Sequence, residues 1–215
     1  MKTPQSVSQG RKFRQVVRGA AAIFLRDGYA GASVDDIARA AQVSKATLYS
    51  YFPDKTLMFH EAMRAEVARL DFVLDIDPSL EPVQGIPRIT AQVAAWLVEP
   101  AQIALYRIHV AEAARFADLS ASFHEALTRM LRGRIRPCLD RWMASGLLLI
   151  DDTDTAAGQL VALAGMGLQE PALLGRSQAA TQAAVQTSAA DAAALFLRAH
   201  APQPHRALRR SIGTR

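Results

Sequence analysis

Apolar positions recur at steps of three and four along most of the chain, and the polar breaks between these runs divide it into helices. Phe13, Val17, Ala20, Ala21 and Phe24, flanked by Val16 and Ile23, predict an amphipathic helix over about 9–27. Gly28 stops it, because glycine takes the left-handed backbone of a helix end at low cost. Ser33 is placed to cap a second helix over about 34–41, with Asp35 and Asp36 in the first turn, where the helix dipole favours negative charge. Val34, Ile37, Ala38 and Ala41 form its apolar stripe. A three-residue break, Gln42-Val43-Ser44, leads to a third helix over 45–52, capped by Ser44 and ended by Pro53, which disfavours helical geometry at the residue before it. Asp54 caps a fourth helix, whose Phe59, Met63, Val67, Leu70 and Leu74 carry the period to about Asp75.

Asp77-Pro78 and Glu81-Pro82 then mark a polar break between domains. Beyond it the period predicts helices over about 84–99, 101–115, 119–145, 154–169 and 179–200, the third kinked at Pro137. The last stretch, APQPHRALRRSIGTR, carries two prolines and four arginines and reads as a flexible basic tail over 201–215. The expected fold is all-α. It comprises an N-terminal three-helix unit with helix-turn-helix spacing over 9–54, a connecting helix over 55–77 and a C-terminal helical domain over 84–200.

Composition narrows the function classes. At 215 residues, 50% apolar and 21% charged, the chain can bury a sizeable core, and the scarcity of β-branched and aromatic runs argues against a β-rich enzyme. The one cysteine, Cys138, can form no internal disulfide and cannot by itself build a metal site, which suits a reducing cytoplasm. No apolar run approaches the ~18 residues of a membrane span, and the N-terminus lacks the apolar segment of a signal peptide. The net charge of +5 is unevenly placed: +5 over residues 1–69, −5 over 70–197 and +5 over 198–215. A basic front end is drawn to phosphate polyanions, so nucleic acid is sought there.

The second and third helices have the dimensions of a helix-turn-helix, whose second helix enters the DNA major groove. On the third helix Leu48 and Phe52 face the core, while Lys45, Ala46, Thr47, Tyr49 and Ser50 spread over the remaining surface. Small side chains at Ser44, Ala46 and Ser50 permit close approach to base edges. Lys45 suits guanine O6/N7, and the hydroxyls of Thr47, Tyr49 and Tyr51 suit phosphate oxygens. Lys55 adds a cation in the first turn of the fourth helix, where backbone N–H groups already favour an anion.

The run VDDIARAAQVSKATLYSYFPDKTLMFHEAM, and T-L-Y-x-Y-F-P-x-K within it, resembles the DNA-binding domain of the TetR family of transcriptional regulators over about residues 11–60. The resemblance implies that Ser33, Lys45, Thr47, Tyr49, Tyr51 and Lys55 occupy DNA-contacting positions, with Tyr49 and Lys55 as phosphate clamps. Two residues depart from the pattern. Gln42 stands where the turn usually has glycine, so the turn either strains a residue with a side chain or adopts a variant geometry. Asp35 replaces a position that in some members reads a base with a basic side chain; a carboxylate there accepts from cytosine or repels phosphate. Farther on, RIHVAEAARFADLSASFHEAL resembles the AefR-like C-terminal domains of the family. This implies a homodimeric repressor released from operator DNA by a small-molecule effector. Separately, no cofactor and no membrane partner are expected.

Within the second domain, Trp96, Tyr106, His109, Glu112, Phe123, Met130 and Trp142 are candidates for an effector pocket, aromatic area being combined with few polar groups. The stripes Leu160, Leu163, Ala164, Leu168 and Val185, Ala189, Ala192, Phe196 are candidates for the dimer interface, implying an inverted-repeat operator. His109 with Glu112 also has the spacing of an acid–base pair, but no nucleophile or oxyanion donor accompanies it, so an enzyme is not expected. His60-Glu61 and His124-Glu125 point to different helix faces and make poor metal pairs. Arg129, Arg132, Arg134, Arg136 and Arg141 read as a solvated face. The alternative to a regulator is an architectural DNA-binding protein without an effector.

Overall fold

The structure, a computed structural model, describes residues 10–175 and 181–202. Among the described residues the chain forms ten helices and no strand: α1 (Arg11–Gly31), α2 (Val34–Ala40), α3 (Lys45–Tyr51), α4 (Lys55–Val67), α5 (Pro82–Leu97), α6 (Pro100–Ala111), α7 (Ala117–Ala144), α8 (Thr153–Gly165), α9 (Gln169–Leu173) and α10 (Gln182–His200). They belong to two compact units. The first comprises the chain to Leu70 with Ala104–Glu125, the second Asp71–Ile103 with the chain from Ala126 on. Most of the basic tail, from residue 203, lies outside the described residues.

In the first unit α1 buries Val16, Val17, Ala20, Ala21, Ile23 and Phe24. Its backbone breaks at Gly28, where φ is +73°, and the chain continues for a final short turn. The caps stand where the sequence places them: Ser33 Oγ accepts from the Asp36 amide, Ser44 Oγ from that of Thr47, and the Asp54 carboxylate from that of Leu57. Close approach of α1 and α2 is made possible by Gly19, since a Cβ there would lie 2.6 Å from the Ala41 nitrogen. Gln15 Nε2 ties the same place down by donating to the Ala41 carbonyl at 2.7 Å.

Gln42 adopts φ +52°, so the turn keeps the left-handed geometry of a glycine and strains a residue with a side chain. Left-handed geometry costs a side-chain-bearing residue about 1–2 kcal/mol, and glycine's extra unfolded-state entropy returns about 0.4–1 kcal/mol of any relief. Gln42→Gly is therefore expected to raise stability by about 0.5–1 kcal/mol, read as a shift in urea midpoint without a change in slope.

Helix α4 ends at Val67, earlier than the apolar period suggests, so Leu70 and Leu74 are not helical. The cause is tertiary. In the second unit the following segment is held against α5: Trp96 Nε1 donates to Asp71 O, Gln92 Nε2 donates to Asp75 O, and Gln92 Oε1 accepts from the Asp75 amide. Those side chains meet the backbone hydrogen bonds that a longer helix would have made.

The second unit is built on α5, α8 and α10, which pack against one another. Thr90 Oγ1, fully buried on α5, donates to Ala189 O of α10 at 2.9 Å. Leu160, Ala164, Leu168, Val185, Ala189, Ala192 and Phe196 are already buried within this one chain, so the two stripes read from the sequence as a dimer interface form intrachain core. The outer faces carry other residues: Gln159, Ala162, Leu163, Leu195 and Ala199 line an open groove between α8 and α10. The helix expected over 154–169 stops at Gly165, and Gly167, at φ +74°, turns the chain before α9. Helix α7 runs as one element through Pro137, whose ring is exposed. Three of the arginines around it are paired with carboxylates and not merely solvated. Arg132 lies 2.8 Å from Asp154, Arg134 2.9 Å from Asp71 and Arg136 3.6 Å from Asp140.

Candidate functional site

Helices α2 and α3 present the candidate interface. Ile37, Ala38 and Leu48 bury their inner sides, and Phe52 closes the hydrophobic contact just past α3. This fixes which side chains of α3 face outward. Lys45, Ala46, Tyr49 and Ser50 are exposed, Tyr49 by 48%, and Thr47 and Tyr51 are half-buried. Ser44 Oγ and Thr47 Oγ1 lie 2.9 Å apart, and Ser50 Oγ donates to Thr47 O at 2.6 Å, so these hydroxyls are oriented before any ligand arrives. The ring of Tyr51 meets that of Phe13 edge-on at 5.9 Å, which leaves only part of its surface for contacts outside the protein.

Ser33 and Lys55 have structural duties as well as candidate roles. Ser33 Oγ donates to Asp36 Oδ2 at 2.7 Å. That bond, followed by one from Arg39, holds the Asp36 carboxyl below the usual carboxylate range. Lys55 Nζ lies 4.8 Å from the centre of the Tyr29 ring and donates to Ala30 O at 3.3 Å, where the cation meets carbonyls near the end of α1. Lys45 Nζ lies 2.6 Å from Asp35 Oδ1, so the one cation of α3 is paired with an acid of α2.

The candidate effector residues divide between the units. Tyr106, His109, Glu112 and Phe123 lie in the first unit, on or beside α6 and α7. His109 stacks flat on Phe123 with ring centres 4.3 Å apart, and Tyr106 meets Phe123 edge-on at 5.6 Å. His109 is 2% exposed, and its Nε2 has no hydrogen-bond partner among the described residues. Burial pulls its pKa down to about 4, so the ring is neutral at pH 7. Glu112 is half-buried. Trp96, Met130 and Trp142 belong to the second unit. There Trp96 Nε1 donates to Asp71 O, Trp142 Nε1 donates to Leu80 O, and Met130 is half-buried.

One cluster escapes sequence reasoning. Phe116, in the connection between α6 and α7, packs its ring on Phe59 at 4.6 Å, on Tyr29 at 5.0 Å and on His60 at 5.2 Å. Arg115 lies 4.9 Å from the Tyr29 ring centre. The α6–α7 connection is thereby seated on α4 and the end of α1, inside the unit that holds the helix-turn-helix. Phe116 continues the helical period of Leu105, His109 and Glu112, but nothing local says what it packs against.

The family model for the tetR family of bacterial regulatory proteins matches residues 16–62, and that for the C-terminal domain of AefR-like transcriptional repressors matches residues 84–202. Among solved structures, the flavonoid-responsive regulator FrrA is 32% identical, with 90% of this chain and 99% of that one covered at a TM-score of 0.68. A TetR-family transcriptional regulator of Mesorhizobium loti MAFF303099 is 25% identical, with 92% and 100% covered at a TM-score of 0.76. A TetR regulator of Agrobacterium tumefaciens, 22% identical over 90% and 96% at a TM-score of 0.72, shares the fold. No curated protein matches the chain. With both family models in register on one chain and the helix-turn-helix side chains turned outward, this protein belongs to the TetR family of transcriptional regulators and carries an AefR-like C-terminal domain.

Proposed function

We propose that the protein is a homodimeric cytoplasmic repressor that binds an inverted-repeat operator and leaves it when a small, largely apolar phenolic effector binds. The observation that carries the effector reading is the buried, neutral His109, whose Nε2 lacks a partner among the described residues. A buried unpaired polar atom costs about 1–3 kcal/mol, a cost that a ligand hydroxyl would remove. Phe123 and Tyr106 supply aromatic area beside it, and Glu112 a second polar group. FrrA is by its name flavonoid-responsive, and a planar polyphenol suits an aromatic wall with one neutral imidazole. The route to DNA is short. His109 and Phe123 lie on the two helices joined by the connection whose Phe116 packs on Tyr29 and Phe59, so a ligand that spreads or closes α6 and α7 pushes on α1 and α4.

Footprinting on the DNA flanking its own gene, with and without a panel of flavonoids, tests the proposal. One or two short protected sites that a stabilising flavonoid releases are expected, with a coupling of about 1–3 kcal/mol, or 5–150-fold in affinity. Uniform coating of the DNA would favour an architectural protein instead. Effectors that bind but leave the footprint intact would remove the effector role.

Two substitutions probe the remaining parts. Lys55→Ala is expected to weaken binding to all sequences alike and to lower the salt slope by about one unit, because a phosphate contact carries no sequence information. Salt titration of operator and unrelated duplex checks it, and an unchanged slope would leave Lys55 with its contacts to Tyr29 and Ala30 O. We place the dimer contact on the outer faces of α8 and α10, where Ala162, Leu163, Leu195 and Ala199 stand. Ala199→Arg is expected to shift sedimentation to monomer at micromolar concentration and to weaken operator binding at least about tenfold by uncoupling the two half-sites.

A further inference from the structure

Asp35 and Asp36 share the first turn of α2 but are used in opposite ways. Asp36 is absorbed locally: its two carboxylate oxygens accept from Ser33 Oγ at 2.7 Å and from Arg39 Nη1 at 2.6 Å. Asp35 reaches across to α3, where its Oδ1 lies 2.6 Å from Lys45 Nζ, with the side chains 59% and 56% exposed. Exposed ion pairs add little to stability, so stability does not account for the pairing. Its effect on the interface is larger. Lys45 is the only charged residue in the α3 sequence KATLYSY, and the pairing leaves the groove-facing end of that helix formally neutral. A neutral end adds nothing to the sequence-independent attraction for phosphate.

The pair instead presents a donor and an acceptor one hydrogen-bond length apart. The major-groove edge of a G·C pair carries the complement. Guanine O6 and cytosine N4 are bonded to each other, so an acceptor and a donor stand about 2.9 Å apart there, and guanine N7 adds a second acceptor beside O6. An ammonium has three protons: one engages Asp35 and two are available to O6 and N7. The remaining lone pairs of Asp35 accept from N4. An A·T pair breaks this match, since N7 there adjoins a donor and the thymine side carries a methyl group.

We propose that Asp35 and Lys45 act as one reading unit for a G·C pair in each half-site, with Asp35 the specificity-determining member, accepting from cytosine and holding Lys45 off phosphate. The inference rests on the helix-turn-helix of this family being the DNA-reading element.

The test is selection from a random duplex DNA library by the full-length wild type, Asp35→Asn, Asp35→Ala and Lys45→Ala, followed by salt titration on an unrelated duplex. The wild type is expected to enrich sites with one fixed G·C pair per half-site. Both Asp35 variants are expected to relax that position at least about tenfold, to bind unrelated duplex more tightly, and to steepen the salt slope by about one unit as Lys45 turns to phosphate. Lys45→Ala relaxes the same position without steepening the slope. Asp35→Asn enriching the same sites as wild type with the same slope overturns the proposal, as does Lys45→Ala relaxing a different position. A wild type that enriches no sequence overturns instead the reading of this element as a sequence-specific DNA binder.

Discussion

Replacing His109 by phenylalanine is expected to stabilise the protein at pH 7 while abolishing its response to any effector that uses the imidazole. His109 is 2% exposed, stacked on Phe123, with Nε2 unpaired among the described residues. An apolar ring of similar shape removes the desolvation cost of that nitrogen, about 1–3 kcal/mol. The gain grows in acid. Burial lowers the native pKa to about 4, while the unfolded chain titrates near the ordinary imidazole value of 6.5. The unfolded state therefore binds a proton that the native state refuses. Stability from the neutral ring is complete above pH 6.5, falls as pH drops toward 4 and levels off below, a loss of about 3 kcal/mol at about 1.4 kcal/mol per pKa unit. Urea unfolding of wild type and His109→Phe at pH 7 and pH 4.5 reads the difference directly. The wild type is expected to lose about 2–3 kcal/mol more than the variant between the two, most of the full linkage. Equal losses would show that His109 is already protonated or solvated in the native state, and the effector reading would fall with it.

The parts of this protein legible in the sequence are those fixed by neighbours along the chain. Ser33, Ser44 and Asp54 cap their helices because an oxygen three residues ahead of an amide finds it with little help from elsewhere. Gly28 breaks α1 for the same local reason. Gln42 was legible as a departure that either strains a residue with a side chain or changes the turn, and its φ of +52° shows the first. What could not be read depends on partners distant in sequence. Leu70 and Leu74 keep the helical period, yet Gln92 and Trp96 capture the backbone there. The alanine-rich stripes of α8 and α10 look the same whether their partner is α5 of the same chain or a second copy, and burial assigns them to the same chain. At the interface, the side chains turned outward from α3 follow from Leu48 and Phe52 facing inward. The pairing of Lys45 with Asp35 requires knowing how α2 and α3 cross.

That crossing depends on Gly19, and Gly19→Ala is expected to destabilise the protein by about 1–3 kcal/mol and to impair DNA binding. A methyl group on Gly19 would lie 2.6 Å from the Ala41 nitrogen, and 2.7 Å from its Cα and Cβ. Two of those three atoms are backbone, which cannot rotate away as a side-chain tip does. Helices α1 and α2 must separate, stretching the Gln15 bond to Ala41 O, and Ala41 immediately precedes the turn that sets α3. Alanine gains about 1 kcal/mol over glycine in helix propensity. Overpacking costs about 1–3 kcal/mol and more where backbone must move, and the hydrogen bond contributes about 1 kcal/mol, so the clash wins. Gly133→Ala isolates the propensity gain. Its Cβ, at an exposed position of α7, would meet nothing within 4 Å among the described residues, and the substitution is expected to stabilise by about 0.5–1 kcal/mol. Chemical denaturation of both variants at one protein concentration separates the two effects, because dimer formation would make stability depend on concentration. A Gly19→Ala protein as stable as the Gly133→Ala control would mean that α1 and α2 do not approach as closely as the crossing at Ala41 requires.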